Sequence, residues 1–231
     1  MYSYLKCDGT IGEAPAAKRG NSSYAWKAEK KIDKYRQDFL CNAIDNTILS
    51  ITLNVSCYQY DFSGCKASWQ YVSKKLSPYI KTLRKLGMDK YLATLEATYE
   101  GKCHVHIISV WNKPFQTKKI KDRFYLADKE LSEKISEKWI NDWKKEYPLI
   151  PLKEPVWLRV CSDLSESENA FDYTSKWIGK GSNIEASIYN AEHGIANVND
   201  VKKLFTNFWG MKLNLRLYRT ARGLVRSPPF I

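Results

Sequence analysis

Residues 90–111 of the chain read KYLATLEATYEGKCHVHIISVW, and this stretch decides the fold. Its two ends, KYLATLEATY at 90–99 and CHVHIISVW at 103–111, have the residue alternation typical of β-strands. A short turn containing Gly101 separates them. Two strands joined by about three residues with a glycine make a β-hairpin. The stretch therefore predicts an antiparallel hairpin.

Two of the three histidines, His104 and His106, lie in the second strand of this hairpin. Residues two apart on a strand point to the same face, so the two imidazoles lie side by side. In the first strand, Glu96 lies across from His106 if the loop is centred on Gly101, or across from His104 if the register shifts by two. Either register brings the carboxylate to the imidazoles, whereas a shift of one residue does not.

Two histidines and one carboxylate on adjacent strands leave one side of a metal ion open. This arrangement predicts a divalent ion, Mn²⁺ or Mg²⁺, that also binds waters and a substrate oxygen. The alternative interpretation is a packed histidine pair at a sheet edge, with Glu96 as its ion-pair partner.

The residue patterns on both sides of the hairpin predict the rest of the fold. They indicate a strand at 47–56, a helix at 67–86 that contains Pro78, a basic loop at 113–125, a helix at 129–146, a strand at 156–161, a helix at 165–180 with a capping box of Ser165 and Glu168, and a strand at 211–218. This order predicts a single α+β domain, with a mainly antiparallel central sheet flanked by helices. We place the domain at 46–220, after an arm and a basic helix at 1–45 and before a basic tail at 221–231.

Charge and composition narrow the class of protein. The 231 residues include 37 Lys and Arg against 25 Asp and Glu, a net charge of +12 that favours nucleic acid as a partner. A hydrophobic content of 44% is that of a globular protein and excludes general disorder. No apolar run approaches the length of a membrane span, and the first residues do not resemble a signal peptide. The six cysteines form no C-x-x-C pair, so we expect reduced thiols in the cytoplasm rather than a zinc ribbon.

Tyr173 is the candidate nucleophile. It lies in the predicted helix at FDYTSKWIGK, where Lys176 and Trp177 follow three and four residues later on the same helical face. Such a Tyr–Lys pair often occurs by chance as a solvated helix face. Beside a two-histidine metal site, however, a tyrosine is suited to attack a phosphate.

Three motifs occur in a fixed order between residues 50 and 176. They are an apolar strand, SITLNVS at 50–56; His104-Val105-His106; and Tyr173-Thr174-Ser175-Lys176. In this order, and with Glu96 on the strand before the histidines, the sequence resembles the rolling-circle replication initiators, the Rep proteins of the HUH endonuclease superfamily. The resemblance implies an RRM-like sheet in which Glu96, His104 and His106 bind the metal.

The resemblance also implies an activity. A protein of this family nicks single-stranded DNA at the replication origin of a plasmid or virus and becomes linked to it through a 5′-phosphotyrosine, here on Tyr173. Lys176 would favour the phenolate, orient the phosphate or donate a proton. A host replication helicase or polymerase is then the expected partner, because the chain has no G-x-x-x-x-G-K-[ST] motif for a helicase of its own.

Further residues are candidates for DNA binding. We expect Trp111 or Trp177 to stack on a base, Lys180 to contact the DNA, and five lysines to follow the DNA backbone: Lys102, Lys113, Lys118, Lys119 and Lys121. The alternative is an ordinary solvated surface. Three other functions stay open: a single-tyrosine transposase or relaxase, a non-catalytic origin-binding protein, and a metal-dependent hydrolase that activates water and does not need Tyr173.

Overall fold

The structure is a computed structural model. It describes residues 2–5, 11–14, 22–55, 62–150, 152, 154–179, 184–213 and 215–221. Within them lie the elements β1 (Tyr2–Leu5), β2 (Ile11–Ala14), α1 (Ser22–Ala43), β3 (Thr47–Asn54), α2 (Phe62–Lys85), β4 (Met88–Ala97), β5 (Cys103–Trp111), β6 (Thr117–Ile120), β7 (Arg123–Leu126), α3 (Lys129–Glu146), β8 (Val156–Val160), α4 (Leu164–Gly179), α5 (Glu185–Glu192), α6 (Val198–Lys212) and β9 (Tyr218–Thr220). Apart from Ala221, the predicted tail lies outside the described residues.

Seven strands form one sheet in the order β6-β7-β8-β3-β5-β4-β9, and every neighbouring pair is antiparallel. Strands β1 and β2 form a separate antiparallel pair. The predicted α+β fold with a mainly antiparallel sheet flanked by helices is therefore confirmed. No helix in the described parts of the chain is long and apolar enough to cross a membrane.

The centre of the sheet has the connectivity β3-α2-β4-β5-α3-β8. This is a split β-α-β arrangement, because β5 lies between β3 and β4, and β3 lies between β5 and β8. Right-handed crossovers place both connecting helices, α2 and α3, on the same face of the sheet. The opposite face is left for α1 and α4.

The core between the sheet and α2 and α3 is rich in aromatic side chains. The sequence predicts one apolar stripe on α3 because four residues recur there at helical spacing, and all four are buried: Leu131, Ile135, Trp139 and Trp143. The Tyr71 hydroxyl on α2 donates a hydrogen bond to the Trp139 carbonyl at 2.6 Å, which joins the two helices. Helix α2 continues through Pro78 without a break.

The turn between β4 and β5 determines which residues face each other. The Thr98 amide donates to the Lys102 carbonyl at 2.8 Å, so the loop consists of residues 99–101 and is centred on residue 100. Gly101 has a φ of +80°, the left-handed conformation that closes three-residue hairpins. Glu96 consequently lies opposite His104, the second of the two predicted registers.

Two predicted segments were wrong. The basic loop at 113–125 contains the hairpin of β6 and β7, which extends the sheet because β7 pairs with β8. The segment predicted as a strand at 211–218 instead begins as the end of α6, and among its described residues a strand starts only at Tyr218. The amides of Leu213 and Leu215 donate to carbonyls of α6 at 3.0 and 2.8 Å, and Leu217 packs directly where Gly210 has no side chain.

The start of α4 also differs from its prediction. Asp163, rather than Ser165, provides the cap, and its carboxylate accepts a hydrogen bond from the Glu166 amide at 2.8 Å. Glu166 accepts in turn from the amide of Ser162, the residue before the cap, at 2.7 Å. Glu168 is therefore free of the cap and forms an ion pair with Arg36 of α1.

Candidate metal and tyrosine site

The β4–β5 hairpin brings the three predicted metal ligands together. Glu96 on β4 lies opposite His104 on β5, and His106 follows on the same face. One potential ligand atom from each residue lies within 4.8 Å of the other two. The two imidazole rings are 4.5 Å apart between centroids. This arrangement could hold a single divalent ion.

Hydrogen bonds fix part of this triad. Nε2 of His106 lies 3.2 Å from Oε1 of Glu96. Its other nitrogen, Nδ1, lies 3.3 Å from the Thr52 hydroxyl on β3, which holds the plane of the ring. Outer groups that orient a histidine in this way are typical of metal centres.

Two further atoms of the triad have no hydrogen-bond partner. They are Oε2 of Glu96 and Nε2 of His104, and both are buried. A buried polar atom without a partner costs about 1–3 kcal/mol, so such atoms are rare. Coordination to a cation would satisfy both. The residues present therefore fit a bound metal.

The local electrostatics keep the ligands ready for a cation. Burial, together with the neighbouring His106, lowers the pKa of His104 to about 3, so its imidazole is neutral at neutral pH. Burial alone would raise the pKa of Glu96, but the hydrogen bond with His106, followed by the electrostatic interactions with the two histidines and Lys202, lowers it overall. Metal ligands must be deprotonated, and both residues meet this condition.

Tyr173 lies on α4, which packs over β4 and β5 on the face that carries the triad. The Thr94 hydroxyl on β4 donates a hydrogen bond to the Thr174 carbonyl at 2.8 Å and so attaches the helix to the sheet. The Tyr173 ring meets the His106 ring edge to face, with centroids 5.0 Å apart. Half of the Tyr173 residue is exposed. The predicted nucleophile therefore lies at the triad and is accessible.

Lys176 lies against Tyr173, with its Nζ 3.7 Å from the ring centroid. A cation over an aromatic face is attracted by the ring, and this contact positions the ammonium group beside the tyrosine. Burial, followed by the charge of Glu96, raises the pKa of Tyr173. Its phenol is therefore protonated at neutral pH when the site holds no other cation.

Helix α1 supports α4 from behind. Arg36 forms ion pairs with Glu168 and with Asp172, the latter at 3.0 Å. The rings of Phe39 and Phe171 pack with their centroids 5.3 Å apart. Asp172 is next to Tyr173 in sequence, so these contacts help to fix the turn of α4 that carries the tyrosine.

Two of the predicted DNA contacts are corrected by their burial. Trp111 is fully buried, packs against Phe115 and donates its indole N–H to the Ser109 hydroxyl, so it cannot stack on a base. Lys102 is also buried, with its ammonium 3.1 Å from Glu100. Sequence patterns did not reveal either position as part of the core.

The other predicted DNA contacts remain predictions. Lys113 is exposed at the end of β5, with its Nζ 5.8 Å from the Trp111 ring centroid. The side chain of Trp177 and the whole of Lys180 lie outside the part of the chain that the structure describes.

Two further residues contact the triad, and the sequence did not predict either of them. Thr52 contacts His106 and belongs to the predicted strand SITLNVS, whose alternation could have placed it on the histidine face. Lys202 of α6 has its Nζ 3.9 Å from Oε1 of Glu96. No local pattern connects Lys202 with the hairpin, because only the packing of α6 against β4 brings them together.

Comparison of the chain with protein-family models, with curated proteins and with solved structures finds no match in any of the three. The site's own geometry therefore carries the functional argument.

Proposed function

We propose that the protein is a metal-dependent endonuclease and strand transferase that nicks single-stranded DNA through Tyr173. One observation carries this proposal: an accessible tyrosine on α4 packs against a histidine of a buried triad on β4 and β5 that suits a divalent ion. A structural histidine pair does not require a tyrosine at this position. In keeping with the sequence resemblance, we propose an HUH-type Rep protein acting at a replication origin of a plasmid or virus in the cytoplasm.

Glu96, His104 and His106 would hold the metal, Mn²⁺ or Mg²⁺. When bound, the ion would supply positive charge to the scissile phosphate and stabilise the negative charge that develops there. Oxygen-preferring ions suit a site with one carboxylate and open positions for water.

Tyr173 would provide the nucleophile. Its phenolic oxygen forms a bond to phosphorus as the bond from phosphorus to the 3′ oxygen breaks. The phenol loses its proton and the leaving oxygen gains one, which gives a 5′-phosphotyrosine and a free 3′-hydroxyl. One phosphodiester replaces another, so the reverse step can rejoin the strands.

Lys176 is placed to assist this exchange. Its ammonium lies over the Tyr173 ring, where a positive charge favours loss of the phenol proton and attracts the phosphate. The net charge of +12 supports a polyanionic substrate. The expected partners are a host polymerase that extends the new 3′-hydroxyl and a host helicase that unwinds the duplex.

The test is a denaturing gel. Wild-type protein is incubated with labelled single-stranded DNA that tiles the candidate origin, with Mn²⁺ or with EDTA. We expect a band that survives SDS with Mn²⁺, is lost with EDTA and is absent for Tyr173→Phe. Tyr189→Phe is the matched control, because Tyr189 is similarly exposed but lies on α5. It should form the adduct as the wild type does.

Other outcomes identify the alternatives. Cleavage without an adduct, unaffected by Tyr173→Phe, would show a hydrolase that activates water. Tight binding to single-stranded DNA with neither cleavage nor adduct on any tile would show a non-catalytic binding protein.

A further inference from the structure

The face of the sheet that carries the triad continues beyond it. Trp157 on β8 lies opposite Thr52 on β3, and Thr52 lies opposite His106 on β5. These three residues form one row across three neighbouring strands. Strands are about 4.8 Å apart, so the Trp157 backbone is about 10 Å from that of His106.

Trp157 is more exposed than tryptophans usually are in folded proteins. It keeps 47% of its surface accessible, although tryptophan is mostly buried in folded proteins. The aromatic residues on the opposite face, such as Trp139 and Trp143, are fully buried. Between Trp157 and the triad, Thr52 is only half-buried. The row is therefore an open surface that leads from the metal ligands to an aromatic ring.

A basic hairpin borders this surface. Tyr125 on β7 lies opposite Arg159, which is two residues from Trp157 on β8 and so faces the same side. Lys118 on β6 lies opposite Tyr125 and is exposed. Outward from the metal ligands, the sheet face thus presents a hydroxyl on β3 and an indole on β8, with the Tyr125 ring and Lys118 in the neighbouring row on β7 and β6.

We propose that this row binds the single strand next to the scissile phosphate, with a nucleobase stacked on Trp157 and the backbone near Lys118. The choice of a single-stranded nucleic acid as the ligand rests on the proposed function. Unpaired bases stack on exposed aromatic rings, and lysines alongside follow the phosphates. The inference assigns to Trp157 the stacking role that burial removes from Trp111.

The test separates base stacking from backbone attraction. Affinities are measured by fluorescence anisotropy in EDTA for two fluorescein-labelled strands of equal length, an oligothymidylate and its fully abasic counterpart. We expect Trp157→Ala to weaken binding of the oligothymidylate about 5- to 150-fold and to leave the abasic strand unaffected. We expect Lys118→Ala to weaken both strands equally and to lower the salt slope by about 1.

Two controls protect the interpretation. Tyr189→Ala removes an exposed aromatic ring from α5 and should change neither affinity. Mn²⁺ affinity reports whether the site of Trp157→Ala is intact. If Trp157→Ala binds Mn²⁺ more weakly than the wild type, the DNA affinities of Trp157→Phe and Trp157→Leu are compared instead. Both variants keep an apolar side chain, but only the Phe variant has an aromatic face. Only the Phe variant should then bind the oligothymidylate nearly as tightly as the wild type.

Equal loss for both strands, or no loss in Trp157→Ala with intact Mn²⁺ binding, would overturn the inference. Wild-type protein that binds neither strand would overturn it as well. A protein that forms no Tyr173 adduct, yet loses binding to bases on replacement of Trp157, would contradict the proposed catalysis and support this inference.

Discussion

The two faces of the central sheet bury different kinds of residue: mainly apolar side chains on one, and the polar triad on the other. Along β5, Val105 and Ile107 face α2 and α3, whereas His104 and His106 face α4. On the first face, the indole N–H groups of Trp69 and Trp139 donate to backbone carbonyls. On the second face, two buried atoms of one cluster lack partners, Oε2 of Glu96 and Nε2 of His104, whereas on the first face the unpartnered Tyr79 hydroxyl lies among aromatic rings.

The difference shows where stability and chemistry are located. Burial of apolar surface stabilises the fold, while burial of unpartnered polar atoms opposes it. Strand alternation allows one strand to do both, because neighbouring residues face opposite layers. We therefore expect changes on the α2 and α3 face to alter folding, and changes on the α4 face to alter binding of metal.

The largest expected effect is on the apolar face. Trp139→Ala removes a fully buried ring that contacts Tyr71 and Tyr79 edge to face. We expect a loss of about 3–5 kcal/mol in the free energy of unfolding, measured with urea. A loss below about 1 kcal/mol would show that this layer is not the main source of stability.

Metal binding to the triad on the α4 face should stabilise the folded protein. Mn²⁺ at a concentration of 100 times its Kd should raise the free energy of unfolding of the wild type by about 2.7 kcal/mol. His104→Ala should abolish this increase, and should change the stability without metal by less than about 1 kcal/mol, because the variant also loses an unpartnered buried nitrogen.

His193→Ala is the matched control for this measurement. His193 is exposed and stacks on Tyr189, with centroids 4.0 Å apart. Its Mn²⁺ response should equal that of the wild type. A response that survives in His104→Ala and falls in His193→Ala would place the metal elsewhere.

The smallest expected effect is on the orientation of a ligand. Thr52→Val keeps the side-chain shape and removes the hydroxyl beside Nδ1 of His106. We expect Mn²⁺ affinity, measured by calorimetry, to fall about tenfold, or about 1.4 kcal/mol. Thr47→Val makes the same change on the opposite face of β3 and should leave the affinity unchanged. Equal affinities in all three proteins would remove Thr52 from the metal site.

The residues that repeat along one element were predictable from the sequence. The alternation in β4 and β5 predicted Glu96, His104 and His106 on one face, and both registers allowed by that alternation kept them together. Helical spacing likewise predicted the buried stripe of α3. Local periodicity contains this information because each residue's face depends only on its neighbours along the chain.

Features that depend on packing between elements were not predictable in this way. Strand β6 has four exposed residues, so it lacks an apolar face and resembled a basic loop. Trp111 looked like a surface ring beside Lys113, but Phe115 and the end of α2 cover it. Lys202 reaches Glu96 from more than a hundred residues away. Such contacts depend on tertiary arrangement, which periodicity does not encode.

The three-residue turn at 99–101 makes the site sensitive to insertions and deletions. Adding or removing one residue there would slide β5 by one position against β4, and the imidazoles of His104 and His106 would turn into the apolar layer. Val105 would then face α4 in their place. A hairpin would still form, but without its ligands. At this turn, a change of one residue in loop length should therefore damage the metal site more than a substitution of the exposed Tyr99.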